Sequence, residues 1–162
     1  MFAEHDLEAR IRSGGSTVSK EVRLREGEGF SQDLEDYLSD WMDRSGITVE
    51  VWALPGRTVD VDLARAVYDT LVEALANVER HSGATHVSIA VTVGASGLRM
   101  TVSDDGAGFV IDQAGRYGGR GLAAMRARFT EVGGRLTINS VPGGGTTVTG
   151  VIPVREREDL VA

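Results

Sequence analysis

The chain has 162 residues, a formal net charge of −7, 41% hydrophobic and 25% charged residues, the make-up of a single globular domain with a real core. The acidic balance excludes general nucleic-acid binding, which needs a basic footprint, and still allows a local basic pocket for an anion. The lack of cysteine excludes disulfides and thiolate metal sites; no apolar run reaches the length of a membrane span, and the acidic start is unlike a signal peptide, so the chain reads as cytoplasmic, with any membrane anchor in a longer parent.

Residues 4–12 predict a short helix, stopped by Ser13-Gly14-Gly15-Ser16. It is too short to stand alone and reads as the end of something larger. Residues 18–25 alternate apolar and polar, as a short strand does. Ser31 is expected to cap a helix over 32–44, with Leu34, Tyr37, Leu38, Trp41 and Met42 inward and Gly46 at its end. Residues 47–54 alternate again, and Pro55-Gly56-Arg57 turns the chain.

Residues 60–81 carry helical spacing through Leu63, Ala66, Val67, Leu71, Ala74, Leu75 and Val78. Asp60 or Asp62 can cap the start, and Gly83 lies just past the end. Two strands, 86–93 and 98–103, follow as a hairpin. A glycine-rich irregular segment, 104–121, leads into a helix over 122–132. A last hairpin, 135–140 and 146–154, precedes a charged tail over 155–162. The plan is α+β: a two-layer sandwich, its mixed, mostly antiparallel sheet covered on one face by three helices. The expected division is an N-terminal stub over 1–21, one domain over 22–154 and the tail.

On the long helix Glu73, Asn77 and Arg80 share a stripe, with His81 beside it, bordering the apolar face. A carboxamide oxygen is a neutral ligand for a hard cation, and Mg²⁺ takes one or two protein oxygens with phosphate and water completing its shell. Arginine and histidine nearby offset phosphate charge. The plain alternative is a solvated polar face.

Three glycine clusters follow at element junctions: Asp104-Asp105-Gly106-Ala107-Gly108-Phe109, Gly118-Gly119-Arg120-Gly121-Leu122 and Gly143-Gly144-Gly145-Thr146. Glycine at a helix start lets backbone N–H groups approach phosphate oxygens. An aspartate at a strand end can accept from an exocyclic amine such as that of adenine. One such turn is uninformative; three in this order after the Asn77 helix are not.

These motifs, in this order over residues 22–153, resemble the ATP-binding catalytic domain of sensor histidine kinases, of the superfamily shared with DNA gyrase, the large heat-shock chaperone and the mismatch-repair MutL proteins. The Glu73…Asn77…Arg80-His81 stretch is similar to the family's N box. The Asp104 and Gly119 clusters are similar to its first and second glycine boxes, and Ser140…Thr146 to its closing element. The short spacing between the glycine boxes resembles the nitrate-sensor and desaturase-sensor branch, and residues 4–12 resemble the end of that branch's second dimerisation helix.

The resemblance implies the Bergerat ATPase fold, ATP and Mg²⁺ as ligands, and a histidine-bearing dimerisation domain and a response regulator as partners. It implies Asn77 as metal ligand, Arg80 and His81 near the triphosphate, and Asp104 on the adenine amino group. Gly106 and Gly108 would admit base and ribose, residues 109–118 would form a lid mobile without nucleotide, and Gly119, Arg120, Gly121 and Leu122 would meet the phosphates, with Thr146 on the adenine side. Glu73 and Asn77 are the catalytic candidates; in hydrolysing members the equivalent of Glu73 activates water, whereas here it would position the metal or polarise a group. No two-helix dimerisation pair fits before residue 22, so His5 is discounted as phosphoacceptor and little self-phosphorylation is expected. The alternative function is an anti-sigma-factor-like serine kinase and regulatory module of the same fold.

Overall fold

The computed structural model describes residues 29–56, 58–109 and 119–153. The expected helix over 4–12, strand over 18–25 and tail over 155–162 lie outside the described residues, as do the N-terminal stub, His5 and all of the expected lid over 109–118 except Phe109.

The first helix, α1, spans Phe30–Ser45. Its N-cap is Gly29, with φ 70° and no side-chain cap, which corrects the expectation of Ser31. Phe30 is buried and draws the helix start forward; Ser31 therefore falls inside the first turn, and its hydroxyl donates 2.6 Å to the Pro55 carbonyl. Gly46, at φ 75°, ends the helix by donating its N–H to Met42 O at 2.9 Å. That left-handed position has no Cβ penalty for glycine alone. Strand β1 follows over Thr48–Ala53.

The second helix, α2, spans Val61–Asn77, with Asp60 as the N-cap: its carboxylate accepts the Asp62 N–H at 2.9 Å. The regular helix is shorter than the periodicity predicts. Val78–Ser82 widens into a π-helical turn, because the Ser82 hydroxyl donates to Val78 O at 2.8 Å and accepts the Ala84 N–H at 3.0 Å. A serine bonding back four residues competes with the helical ladder. The edge-to-face contact of Tyr37 and Tyr68, 5.7 Å between ring centres, joins α1 to α2.

Strands β2 (His86–Gly94) and β3 (Gly97–Asp104) form a hairpin turned by Ala95-Ser96. Helix α3 spans Gly119–Glu131, three residues earlier than expected at its start. Strands β4 (Arg135–Ser140) and β5 (Thr146–Pro153) close the sheet. The strand order is β1-β2-β3-β5-β4. Only the β1–β2 pair is parallel, as the intervening α2 requires; the other three pairs are antiparallel.

Alternation decides the layers. Val87, Ile89 and Val91, then Leu98, Met100 and Val102, then Leu136 and Ile138, then Val148 and Ile152 are buried on one face under the helices, while their neighbours Thr92, Arg99 and Thr137 are exposed. Leu34, Leu38, Trp41, Leu71, Leu75, Met125 and Phe129 fill the layer above. Gly150 is required under Phe129: a Cβ there would collide with the Phe129 ring. The expected α+β two-layer sandwich is the observed one.

Candidate functional site

One face of the sandwich opens into a cavity. It is lined by Ala74 and Asn77 of α2, Val78 and Ser82 of the turn after it, Val102 and Asp104 of β3, Phe109 of the following loop, Leu122 and Met125 of α3, Ile138 of β4, and Thr146 and Val148 of β5. Its wall is apolar and its polar groups are few, as in small-molecule sites. Of the expected residues, Asn77, Asp104, Leu122 and Thr146 meet here. Val102, Met125, Ile138 and Val148 were not expected. They stand two residues from Asp104, three from Leu122, two from Ser140 and two from Thr146, and strand and helix periods place them on the same faces.

Asp104 ends β3 directly opposite Thr146, which begins β5. Its carboxylate is half-buried and accepts the Gly106 N–H at 2.8 Å. Burial pushes its pKa up; the backbone N–H groups of Gly106 and Thr146 draw it down by less. A carboxylate oxygen is thereby held at an apolar cavity, ready to accept from a donor.

Asp105 behaves oppositely. Its carboxylate accepts the His86 N–H at 3.0 Å and the Thr85 N–H at 2.9 Å, and the Thr85 hydroxyl at 3.0 Å. Those N–H groups, His86's first, hold its pKa down. It ties the start of β2 to the end of β3. Sequence reading missed this role, since only the fold brings residues 85 and 105 together.

The loop after Asp105 fits only glycine at key points. A Cβ at Gly106 would sit 2.5 Å from Ser82 Cβ, and one at Gly108, where φ is +68°, would overlap the Val141 carbonyl. Ala107 joins both sides of the cavity through its main chain: its N–H donates to Ser82 O at 2.8 Å, and its carbonyl accepts the Gly143 N–H at 2.5 Å. The Asp104 loop is thus pinned to the end of α2 on one side and to the β4–β5 connection on the other.

Glu73, Asn77 and Arg80 come together as the helical stripe predicts. Arg80 Nη2 lies 3.3 Å from Asn77 Oδ1 and 3.5 Å from Glu73 Oε2. Arg80 and His81 are exposed in the π-helical turn. Glu73 also faces α3: a Cβ at Gly121 would sit 2.6 Å from Glu73 Oε2. Helix α3 begins at Gly119, so Arg120 and Gly121 stand in its first turn, where backbone N–H groups lack helical partners.

Among the described residues no group of three or more His, Cys, Asp or Glu side chains could hold a metal by itself. The donor set fits a different arrangement. Asn77 and Glu73 each hold a side-chain oxygen near Arg80 Nη2, at 3.3 and 3.5 Å, and oxygens are the donors that Mg²⁺ takes when phosphates and water complete its shell.

Comparison with known proteins gives the family and the fold. Residues 62–156 match the model of the family described as histidine kinase-, DNA gyrase B- and HSP90-like ATPase. The chain is 32% identical over 133 residues to the sensor histidine kinase LiaS of Bacillus subtilis, covering 82% of this chain and 36% of LiaS. It is 34% identical over 134 residues to the sensor histidine kinase MctS of Rhizobium johnstonii, covering 81% of this chain and 29% of MctS. The chain therefore spans about a third of the length of these relatives. Among solved structures, the histidine kinase domain of the Erythrobacter litoralis blue-light activated histidine kinase superposes with a TM-score of 0.66 at 27% identity, over 82% of this chain and 64% of that one.

Proposed function

This chain belongs to the histidine kinase-, DNA gyrase B- and HSP90-like ATPase family, and we propose on that premise that it is the catalytic module of a sensor histidine kinase. It binds ATP with Mg²⁺ and presents the γ-phosphate to a histidine on a dimerisation domain, in the cytoplasm, for onward transfer to a response regulator. The observation that carries the reading is the pairing of Asp104 with Thr146 at the cavity that Asn77 also lines. An adenine there meets apolar walls above and below and a carboxylate at its edge. The relatives, named as sensor histidine kinases, favour this over an anti-sigma-type serine kinase.

The residues divide the work. Asp104 accepts from the adenine amino group; Gly106 and Gly108 let the backbone approach base and ribose. Asn77 and Glu73 would hold Mg²⁺, which supplies charge neutralisation on the phosphates when bound. Arg80, with His81, faces the triphosphate, and the first turn of α3 from Gly119 offers its unpaired N–H groups to phosphate oxygens. Catalysis is then positioning and electrostatics, as phosphoryl transfer generally is. The test is to incubate the purified chain with Mg-ATP and a separately made dimerisation domain from a kinase of this family. Acid-labile label on a histidine of that domain is the expected result; ATP binding without any transfer to such a domain counts against the kinase reading.

A further inference from the structure

The hydroxyl of Ser140, at the end of β4, has three hydrogen-bond partners. The Phe109 N–H donates to it at 2.8 Å. It donates to the Gly145 carbonyl at 3.2 Å. It lies 2.8 Å from Thr146 Oγ1, where either oxygen can be the donor. A serine hydroxyl carries one proton and two lone pairs. An N–H can only donate and a carbonyl can only accept. The one assignment that satisfies all three contacts sends the Ser140 proton to Gly145 and takes the Thr146 proton into Ser140.

That assignment has a consequence in the cavity. Thr146 and Asp104 both line it and stand opposite each other across β3 and β5. With its proton committed to Ser140, Thr146 Oγ1 offers the cavity only lone pairs. We propose that Ser140 is a specificity-determining positioning residue: by holding the Thr146 proton it makes Thr146 an acceptor beside the acceptor Asp104, so that the site selects a base whose edge carries an amino group with two N–H donors.

The same hydroxyl anchors Phe109, which also lines the cavity, and the glycine turn at Gly145, where φ is +77° and a Cβ would overlap the Asp104 carbonyl. Ser140 thus sets both the position of the β4–β5 connection and the direction of a proton. Position alone would affect every nucleotide alike; proton direction affects only those that differ at the base edge.

The proposal rests on the adenine reading, and the test separates the two. Affinities of the full chain for Mg-ATP and Mg-ITP are measured by calorimetry. Inosine replaces the 6-amino donor with a carbonyl acceptor, turns N1 from an acceptor into a single N–H donor, and leaves the ribose and phosphates unchanged. Wild type is expected to prefer ATP by about tenfold or more, since a buried acceptor facing an acceptor loses its partner. Ser140→Ala frees the Thr146 proton to turn toward the inosine carbonyl. The preference should fall at least about threefold, chiefly through tighter ITP binding. Thr146→Val should lose ATP affinity without gaining ITP affinity, and adding Ser140→Ala to it should leave the ratio unchanged. Thermal melts check that each variant folds, and Thr146→Val tests the acceptor role even if Ser140→Ala does not. Equal weakening of ATP and ITP in Ser140→Ala, or undiminished ATP binding in Thr146→Val, overturns the proposal. Wild type that binds neither nucleotide overturns the adenine reading, and the proposal with it.

Discussion

Arg80 Nη2 lies 3.3 Å from Asn77 Oδ1, three residues back along the chain. The contact sets the Asn77 oxygen beside a cation, at the cavity that Asn77 also lines. A neutral oxygen presented in this way suits a hard metal ion that arrives with phosphates. Asn77→Ala should therefore weaken ATP binding by roughly tenfold or more with Mg²⁺ present, a loss on the scale of other perturbed metal sites. In EDTA the loss should be small. Titrations in the two conditions check this, and equal losses would assign Asn77 a structural role only.

Asp104 and Asp105 are adjacent and should titrate apart. Burial raises the first; the His86 and Thr85 N–H groups lower the second. Carboxyl-carbon NMR across an acid titration should show Asp105 losing its proton at lower pH than Asp104.

The signs carry through to stability. For Asp104 burial lifts the folded pKa above the ordinary carboxylate value that the unfolded chain has. The folded state then binds more protons between those two values, and stability falls as pH rises through that window. Above it the ionised, half-buried group is a standing cost. Asp104→Asn should therefore raise the melting temperature at neutral pH while erasing much of the preference for ATP over GTP. For Asp105 the sign reverses: its contribution is present above the unfolded pKa and lost as pH falls through the lowered one. A lower melting temperature in Asp104→Asn would contradict the assignment.

Gly108→Ala meets two obstacles at once. The residue has φ +68°, and its Cβ would overlap the Val141 carbonyl. The left-handed conformation costs about 1–2 kcal/mol for an L-residue, and a forced shift of packed backbone adds about 1–3 kcal/mol. Denaturant unfolding should show a destabilisation of about 2–5 kcal/mol. Gly143→Ala is the control for the clash: φ is +80° there, yet no atom lies within 4 Å of the added Cβ, so only the conformational part should appear.

Neither described histidine is placed to accept phosphate. His81 belongs to the π-helical turn, and His86 begins β2, with its backbone N–H on Asp105. In-line transfer needs the attacking nitrogen opposite the leaving oxygen, and neither residue can swing there without opening its element. After incubation with radiolabelled ATP, His81 and His86 should carry no acid-labile label. Peptide mapping that finds label on either one would overturn this.

Much of the protein was legible in its sequence because the signals are local. Period-2 alternation marked the strands and 3.6-residue spacing marked α2, and the order of Asn77, the Asp104 cluster, Gly121 and Gly145 identified the family before any fold was known. Even the convergence of Glu73, Asn77 and Arg80 followed from spacing on one helix. Where local reading failed, a contact from elsewhere intervened. Ser31 has the chemistry of a cap, but Phe30 needed burial and Pro55 offered its carbonyl. The last turn before Gly83 is spaced as an α-helix, but Ser82 bonds back to Val78. The strand order, the opposition of Asp104 and Thr146, the hold of Asp105 on residues 85 and 86, and the hub at Ser140 were set by the tertiary structure alone. Asp105 and Thr85 are 20 positions apart and Ser140 and Phe109 are 31 apart; a hydrogen bond at that separation depends on which strands become neighbours, and neighbouring strands are chosen by how the whole apolar face is buried, not by any one segment's pattern.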